Sequence, residues 1–278
     1  MTTYQENAIA TNPDTEESVK EPYVIEVDFG TDESIDPSER TVRSGLVFDV
    51  VEEDEPKEML EPDPEVAEAA RRINEERPVY RFVKRASDIL LSAAILILFS
   101  WLYAIIAIII KIDDPKGPVI FSQERVGKDG VPFKMYKFRT MVVDAEDRLE
   151  ELKELNEKTG PVFKMSRDPR LLRSGIWLRR LSLDELPQFV NVLKGEISVV
   201  GPRPALIREA VLYTPRQKQR LLVKPGITCY WQTRFDRDHI TFDEWVELDL
   251  LYIMKCGVGA DFRQIVKTVL VVLTAQGN

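Results

Sequence analysis

The chain contains few of the residue types that make the commonest nucleophilic and transition-metal sites. It has one histidine, His239, and two isolated cysteines, Cys229 and Cys256. This scarcity argues against a histidine-based metal cluster and against Ser-His or Cys-His catalysis, and the cysteines are typical of reduced cytoplasmic thiols. The Walker glycine loop, the G-x-G-x-x-G fingerprint and internal repeats are also missing. A nucleophile or base should therefore be a carboxylate, and a bound metal should be a hard cation such as Mg²⁺.

Positive charge is scarce at the start of the chain. Residues 1–62 hold 4 Lys and Arg against 18 Asp and Glu, whereas residues 63–278 hold 34 against 29, within an overall charge of -9. The first segment has scattered prolines and no sustained hydrophobic period, which predicts an acidic disordered extension over 1–62. Asp63 as N-cap and Pro64 at the first helical position predict a helix to Arg77, and we assign a linker helix to 63–80.

One long apolar run stands out against this charged background. Between Ile89 and Ile110 the chain has 22 residues without a charge, which is long enough for a membrane-crossing helix. Basic residues flank both ends, so the positive-inside rule gives no direction. Together with the interruption at Ser100, this favours a re-entrant membrane segment over 81–112 with both ends on the cytoplasmic side. A straight spanning helix is the alternative, because no proline breaks the run.

The stretch Ser182 to Gln188 is the strongest candidate for catalytic chemistry. Ser182 and Glu185 have the spacing of a capping box, which predicts a helix that ends at Gly195 and has Asp184 in its first turn. The helix dipole and free N–H groups there favour an ionised carboxylate and attract phosphate. The alternative is that Asp184 and Glu185 only cap a core helix.

Several cations surround this acidic pair in sequence. Arg179 and Arg180 precede it, and Arg203 lies in a rigid Gly-Pro-Arg-Pro turn. Residues 133–140 alternate apolar and basic side chains, which predicts a short strand with a basic face. The other candidate phosphate ligands are Arg125, Lys134, Lys137 and Arg139. A solvated face is the usual explanation of one basic run, but several runs converging on an acidic pair indicate a diphosphate site.

Two amphipathic segments leave alternatives open. Near the C-terminus, apolar residues from Phe262 to Leu273 form a broad face that fits either a core helix or a helix lying on a membrane surface. Residues 144–158 carry heptad-like leucines among charges, which fit either a solvated helix or a dimer contact.

From Phe82 to the C-terminus, about seventy per cent of the chain, the sequence resembles the bacterial sugar transferases, the monotopic polyprenol-phosphate phosphoglycosyl transferases. Several blocks in the same order and at consistent separation make the resemblance specific. The matching blocks are residues 84–88, 123–125, 137–141, 182–188, 191–195, 200–204 and 224–228. The resemblance implies a mainly α fold with a small β element (α+β), in which 113–278 is the cytoplasmic phosphoglycosyl transferase domain.

The resemblance also implies a two-step reaction on the cytoplasmic face of the inner membrane. Asp184 would attack the sugar-bearing phosphorus of a nucleotide diphosphate sugar, and a polyprenol phosphate would then take the phosphosugar. Glu185 would assist at Mg²⁺ or as a base, and Arg203 and Arg180 would hold phosphate oxygens. Lys84 and Arg85 would lie at lipid headgroups. No nucleic-acid partner is expected.

The chain departs from the family pattern at three places. Trp101 follows Ser100 where the family usually has proline, Cys229 stands where Pro-Gly-Ile-Thr-Gly usually ends, and Cys256-Gly257 replaces a Trp-Ser pair. A membrane-anchored interaction protein with an acidic recruiting tail is the competing class, since its basic surface would simply lie on anionic lipid. An interaction protein of this kind would have no use for Asp184 and Glu185 beside Arg203.

Overall fold

The structure, a computed structural model, describes residues 60–165, 167–237 and 239–274. The chain divides into two units, Met1–Asp54 and Glu55–Asn278, and the described residues belong to the second. The prediction of an acidic disordered extension over 1–62 falls on residues that, apart from the last three, lie outside the described ones.

Helices make up most of this unit, with a small amount of strand. The helices are α1 (Pro64–Arg71), α2 (Pro78–Leu98), α3 (Ser100–Asp113), α4 (Leu149–Leu152), α5 (Arg173–Arg180), α6 (Gln188–Lys194), α7 (Ile207–Ala210), α8 (Pro215–Lys218), α9 (Phe242–Lys255) and α10 (Val258–Leu273). The strands are β1 (Ile120–Val126), β2 (Pro132–Phe138), β3 (Ser198–Val200), β4 (Ala205–Leu206) and β5 (Gly226–Thr228). The predicted α+β class is confirmed.

The helix predicted from Asp63 is also confirmed. Oδ1 of Asp63 accepts the N–H of Glu65 at 2.8 Å, and Pro64 occupies the first helical position. The helix continues as a π-helical turn over Arg72–Glu76. Gln219 exchanges two hydrogen bonds with the backbone of Asp63, both at 2.7 Å, so the start of α1 is fixed to the rest of the unit.

The apolar run forms two helices rather than one. The axes of α2 and α3 differ by 61° at a break of one residue, Phe99. Among the described residues no single helix has the length and composition to cross a membrane, whereas this bent pair meets both conditions together. Each arm packs on the same unit: Asp88 accepts the N–H of Val199 at 3.0 Å, and Ile106 lies in a buried cluster with Leu178. The straight helix that the sequence left open does not form.

A three-stranded antiparallel sheet has the order β2-β1-β4, and β3 pairs in parallel with β5. The strand predicted within residues 133–140 is confirmed as β2. Its free edge is covered by a side chain of α6, because Nδ2 of Asn191 donates to the carbonyl of Lys134 at 2.7 Å and Oδ1 accepts the N–H of Tyr136 at 3.0 Å. Asn191 thus positions α6 against the sheet.

The C-terminal helix α10 has its polar side inward. Asp261 and Gln264 are buried, whereas Phe262 is 65% exposed and Leu273 76% exposed. The inward residues are hydrogen-bonded, for example Nε2 of Gln264 to the carbonyl of Cys229 at 2.7 Å. A core helix would bury the apolar stripe, so the core-helix alternative is wrong.

The segment with heptad-like leucines does not form one continuous helix. It contains only α4 and a 3₁₀ turn, Lys153–Leu155, and Leu155 is exposed. A dimer contact there stays a prediction.

Candidate active site

The acidic pair, Asp184 and Glu185, lies on a 3₁₀ turn over Leu183–Glu185, and α6 begins only at Gln188. The predicted capping box is therefore wrong. Ser182 has φ 54°, in the left-handed region, and its backbone N–H donates to the carbonyl of Arg179 at 2.9 Å. Ser182 thus closes the preceding helix α5 with a left-handed residue, and its side chain makes no capping hydrogen bond to the turn that follows. Gly195, with φ 84°, ends α6 as predicted.

Lys137 of β2 lies against both carboxylates. Its Nζ is 2.8 Å from Oε1 of Glu185 and 3.9 Å from Oδ2 of Asp184. Burial raises the pKa of Glu185, but the charge and hydrogen bond of Lys137, with Arg203 and Arg125, bring that pKa below its ordinary value. The two adjacent carboxylates therefore share one close cation unequally.

Asp184 has the opposite pKa shift. Burial raises the pKa of its carboxyl from 3.8 to about 6; the charge of Lys137 lowers it, the neighbouring Glu185 raises it, and Arg179 lowers it. The Asp184 side chain is 9% exposed, and that of Glu185 is 23% exposed. Among carboxylates, the one whose charge is less stabilised is the better nucleophile and base. The electrostatics therefore favour Asp184 as the reactive group and Glu185 as its ionised neighbour.

An open, shallow cleft lies beside the pair. Glu185, rather than the more buried Asp184, contributes to its wall. The lining residues are Arg125, Met135, Lys137, Glu185, Gln188, Arg203, Pro204, Gly226, Ile227 and Gln232. Three cations, one carboxylate and two amides thus face a small space, which suits a ligand with a charged phosphate portion and uncharged polar groups.

The arginine turn, residues Gly201–Pro204, is fixed through its carbonyl groups. Two of these residues are prolines and have no N–H to donate, while the N–H of Gly201 donates to the carbonyl of Thr228 at 3.0 Å. Each of three successive carbonyls accepts from a different element: Pro202 from the N–H of Gly226 at 2.8 Å, Arg203 from Nη2 of Arg220 at 3.4 Å, and Pro204 from Nη1 of Arg125 at 3.0 Å. The backbone that carries the Arg203 guanidinium is therefore well constrained.

Arg220 and Asp249 form a buried ion pair behind this turn, which the sequence analysis missed. Asp249 of α9 has no exposed surface, and Arg220 also donates to the hydroxyl of Tyr213 at 3.1 Å. A sequence signal was available, because Asp249 is a lone carboxylate on the face of α9 that buries Val246 and Ile253. A buried carboxylate on an apolar helical face calls for a cationic partner.

Four predicted phosphate ligands lie around the acidic pair. Lys137, Arg203 and Arg125 line the cleft, and Arg179 is close enough to lower the pKa of Asp184. Nε of Arg179 donates to Oγ1 of Thr140 at 3.1 Å, which fixes its side chain. The prediction that several basic runs converge on one acidic pair holds for these four residues.

The other three predicted phosphate ligands lie elsewhere. Arg139 is buried in an ion pair with Asp114 and donates to the carbonyl of Pro118 at 2.6 Å, so its charge is already neutralised. Lys134 is exposed on the face of β2 opposite Lys137, because side chains three positions apart on a strand point to opposite sides. The predicted basic face is therefore divided. Arg180 is exposed and has no ion-pair partner in the described part of the chain.

Lys84 and Arg85, predicted at lipid headgroups, both have acceptors within the protein. Nζ of Lys84 donates to Asp261 of α10 and to the carbonyl of Val200, each at 2.9 Å. Arg85 donates to the last carbonyls of α6, including that of Val192 at 2.6 Å. These contacts join α2 to α10 and α6, and the headgroup role stays a prediction.

The two carboxylates also form the candidate cation site. No group of three or more His, Cys, Asp or Glu side chains suited to a metal occurs within residues 60–165, 167–237 and 239–274. Magnesium nevertheless binds enzymes through one or two carboxylates, with water and substrate phosphates completing its shell. Asp184 and Glu185 beside a cleft lined with cations fit an ion that arrives with a diphosphate.

Comparison with known proteins gives a family and several relatives. Residues 79–275 match the family described as bacterial sugar transferase. The chain is 49% identical over 162 residues to the galactosyl transferase CpsE of Streptococcus agalactiae serotype III, covering 58% of this chain and 36% of that protein. It is 36% identical to the exopolysaccharide production protein ExoY of Rhizobium meliloti, covering 73% of this chain and 90% of ExoY.

A third relative is named for a specific reaction. The UDP-glucose:undecaprenyl-phosphate glucose-1-phosphate transferase of Escherichia coli K12 is 41% identical over 198 residues, covering 69% of this chain and 40% of that protein. The chain therefore spans well under half of the lengths of CpsE and the Escherichia coli enzyme, and nearly all of ExoY.

Proposed function

This chain belongs to the bacterial sugar transferase family, and we propose that it transfers a sugar 1-phosphate from a UDP-sugar to undecaprenyl phosphate. The product is a polyprenyl diphosphate sugar, the first membrane-bound intermediate of exopolysaccharide or capsule assembly. The name of the Escherichia coli relative supports the reaction type, and the name of ExoY supports the pathway.

One observation carries this proposal: two adjacent carboxylates of opposite pKa shift lie beside a cleft lined with cations. Glu185 has its charge stabilised by Lys137 at 2.8 Å, whereas burial raises the pKa of Asp184 to about 6. At neutral pH both are ionised, and the less stabilised carboxylate is the stronger nucleophile. Phosphoryl transfer needs positioning and neutralisation of phosphate charge, which Arg203, Lys137 and Arg125 supply.

In the first step an oxygen of Asp184 forms a bond to the sugar-bearing phosphorus of the UDP-sugar. The bond from that phosphorus to the bridging oxygen breaks, and its electron pair leaves with UMP. In the second step an oxygen of undecaprenyl phosphate forms a bond to the same phosphorus. The acyl phosphate bond then breaks, which restores the Asp184 carboxylate.

The residues of the cleft have distinct roles in this scheme. Arg203, held by its fixed turn, and Arg125 contact oxygens of the diphosphate, while Arg179 helps to keep Asp184 ionised. Asp184 and Glu185 would hold a Mg²⁺ ion. When bound, that ion supplies neutralisation of charge on the transferring and leaving phosphates.

The same proposal places this unit on the inner membrane, with its active site on the cytoplasmic face. Two observations support this location. The bent pair α2 and α3 returns to the unit it left, and α10 exposes apolar side chains from Phe262 to Leu273. A lipid surface would remove these apolar side chains from water, which is favourable. The segment 81–112 then enters the bilayer and leaves on the same side.

The reaction is tested with the full chain purified in detergent. Undecaprenyl phosphate is incubated with radiolabelled UDP-glucose, UDP-galactose and UDP-N-acetylgalactosamine, and label is measured in the organic phase together with released UMP. We expect one of these donors to give organic-soluble label that matches UMP in amount. Absence of transfer from every donor, with a folded protein and Mg²⁺ present, would leave the interaction protein as the better interpretation.

The topology is tested separately by labelling single cysteines in intact cells with an impermeant maleimide. One cysteine replaces Ser18 and another replaces Glu151, in a background that lacks Cys229 and Cys256. We expect neither site to be labelled until the membrane is opened. Labelling of the Ser18 site alone in intact cells would mean that the apolar segment spans the membrane.

A further inference from the structure

Gln232 is an uncharged polar residue in the wall of a cleft that otherwise displays cations. It lies on the 3₁₀ turn Trp231–Thr233, and the cleft places it with Arg203 and Ile227. The arginines and Lys137 account for the phosphate portion of a nucleotide sugar. The base and the sugar present uncharged carbonyl and hydroxyl oxygens, which need neutral donors.

Cys229 determines which end of the Gln232 amide faces the cleft. The backbone N–H of Cys229 donates to Oε1 of Gln232 at 3.0 Å, and its thiol donates to the same oxygen at 3.2 Å. Both partners are donors, so the oxygen must face them and Nε2 must face away. Burial raises the pKa of the Cys229 thiol well above its ordinary value, which keeps the donating proton in place.

Nε2 of Gln232 has no acceptor among the described residues, although the amide oxygen has two donors. The carbonyl of Gln232 is also engaged, since it accepts Nη1 of Arg237 at 3.1 Å. The residue is therefore fixed at its backbone and at one side-chain atom, with a free N–H₂ group at the cleft. An oriented amide with an unused donor is a recognition group.

We propose that Nε2 of Gln232 donates a hydrogen bond to an uncharged oxygen of the bound nucleotide sugar, and that Cys229 orients it. The acceptor is a sugar hydroxyl or a carbonyl of the base, which share this chemistry. The inference rests on the proposed function, and it adds a residue that selects the donor substrate. The thiol of Cys229 adds a second donor to the one that its backbone N–H supplies, and so strengthens this orientation.

The test measures equilibrium binding of a radiolabelled UDP-sugar to the full chain carrying Asp184→Asn, in which the covalent step cannot occur. Gln232→Leu keeps the side-chain size and removes the amide. Because a hydrogen bond contributes about 0.5–1.5 kcal/mol, we expect Kd to rise about two- to twelve-fold. Thermal unfolding of the variant is measured in parallel, and an unchanged Tm separates lost recognition from lost fold.

Cys229 offers a graded pair of variants. Cys229→Ala removes the thiol and keeps the backbone N–H, so we expect Kd to rise by about two-fold, less than for Gln232→Leu. Cys229→Ser restores a side-chain donor and should return Kd toward that of the parent. Val143→Ser, an exposed residue outside the cleft, is the matched control and should leave Kd unchanged.

UMP binding identifies which oxygen is contacted. If Gln232→Leu weakens UMP and UDP-sugar alike, the acceptor belongs to the nucleotide; if it weakens only the UDP-sugar, the acceptor belongs to the sugar. Unchanged Kd for both ligands in a folded Gln232→Leu variant overturns the inference. The proposed function fails by a different result, the absence of transfer in the parent chain, so the two failures are distinguishable.

Discussion

Asp184 and Asp249 are two buried aspartates with nearly the same acidity. Burial raises the pKa of each carboxyl to about 6, and each lies near arginine. Their surroundings differ in the contact with the cation. Asp249 has no exposed surface and is in direct hydrogen bond with Arg220, whereas Asp184 has its closest ion-pair partner, Lys137, at 3.9 Å.

The two aspartates differ in direct contact with a cation and in access to a cleft. Arg220 neutralises Asp249 inside the protein, and the rings of Tyr213 and Phe242 lie against the Arg220 guanidinium. Asp184 shares Lys137 with Glu185, which makes the shorter contact, and lies next to an open cleft lined with cations. A raised pKa alone would mark both aspartates as functional. The comparison teaches that an incompletely neutralised charge beside an open cleft, rather than the raised pKa, identifies the reactive carboxylate.

The largest expected difference between the two aspartates is in the rate of the reaction. Asp184→Asn should reduce exchange of labelled UMP into UDP-sugar by about 10⁴-fold or more, because it removes the nucleophile. Glu185→Gln is the matched control and should retain measurable exchange. If the Glu185 variant were inactive and the Asp184 variant exchanged normally, Glu185 rather than Asp184 would be the nucleophile.

The second largest expected difference between the two aspartates is in the stability of the folded protein. Asp249→Asn leaves Arg220 as an unpaired buried cation, and breaking a buried pair in this way costs about 3–5 kcal/mol. We expect a large fall in the denaturant midpoint of the detergent-solubilised protein. Arg220→Met with Asp249→Leu, which removes both charges, should recover much of the loss. Equal instability of single and double variants would show that packing, rather than charge, is responsible.

Asp184→Asn should change stability in the opposite direction. The folded pKa of about 6 lies above the ordinary 3.8, so the unfolded state loses its proton more readily. Stability is therefore fullest below the unfolded pKa and falls as the pH rises through the window from 3.8 to 6. Replacing the carboxyl by a neutral amide should stabilise the protein at pH 7 by about 1–3 kcal/mol. A lower Tm for this variant at pH 7 would contradict the assignment of a raised pKa.

Removing the charge of Lys137 should increase the difference in pKa between Asp184 and Asp249. UMP exchange in the parent should rise with pH through a midpoint near 6, because Asp184 must be ionised to attack. Lys137→Met removes a charge that lowers this pKa, so the midpoint should move to higher pH. Exchange rates from pH 4.5 to 9 in parent and variant measure the shift. An unmoved midpoint would mean that another group controls the acid limb.

The smallest effect concerns communication between the two sites. Asp249 and Arg220 support the backbone that presents Arg203, so their loss should act partly through that arginine. We expect Arg203→Ala and Asp249→Asn to show a coupling of about 1 kcal/mol in a double-mutant cycle on kcat/KM. Strictly additive effects would show that the buried pair contributes to the fold alone.

Much of this arrangement follows from local sequence. The cap at Asp63 and the strand β2 are governed by neighbouring residues, and each forms as predicted. The division of Lys134 from Lys137 was also readable, since strand side chains alternate between faces. Ser182 shows the limit of such patterns. The same serine fits the start of one helix or the end of another. In the structure its backbone N–H bonds to the preceding helix α5, which it ends.

Other features depend on contacts that are distant in sequence. The periodicity of α10 reveals an apolar stripe but does not say which side meets the protein. The answer comes from Lys84, Tyr80 and Tyr252, which bind Asp261 and draw the polar side inward. Arg139 was grouped with the phosphate ligands because Asp114 is 25 positions away and no local pattern joins the two.

The contact between Lys84 and Asp261 has a consequence for the order of biosynthesis. The two residues are 177 positions apart, and a ribosome adding about 5–20 residues per second needs about 10–35 s to make the intervening chain. During that time α2 and the carbonyl of Val200 have been made, while the carboxylate that pairs with the Lys84 ammonium has not. A nascent chain arrested after Cys256 should remain sensitive to protease, and one arrested well beyond Leu273 should become resistant. Helix α10 thus completes the anchoring of the first apolar arm only after most of the unit has been made.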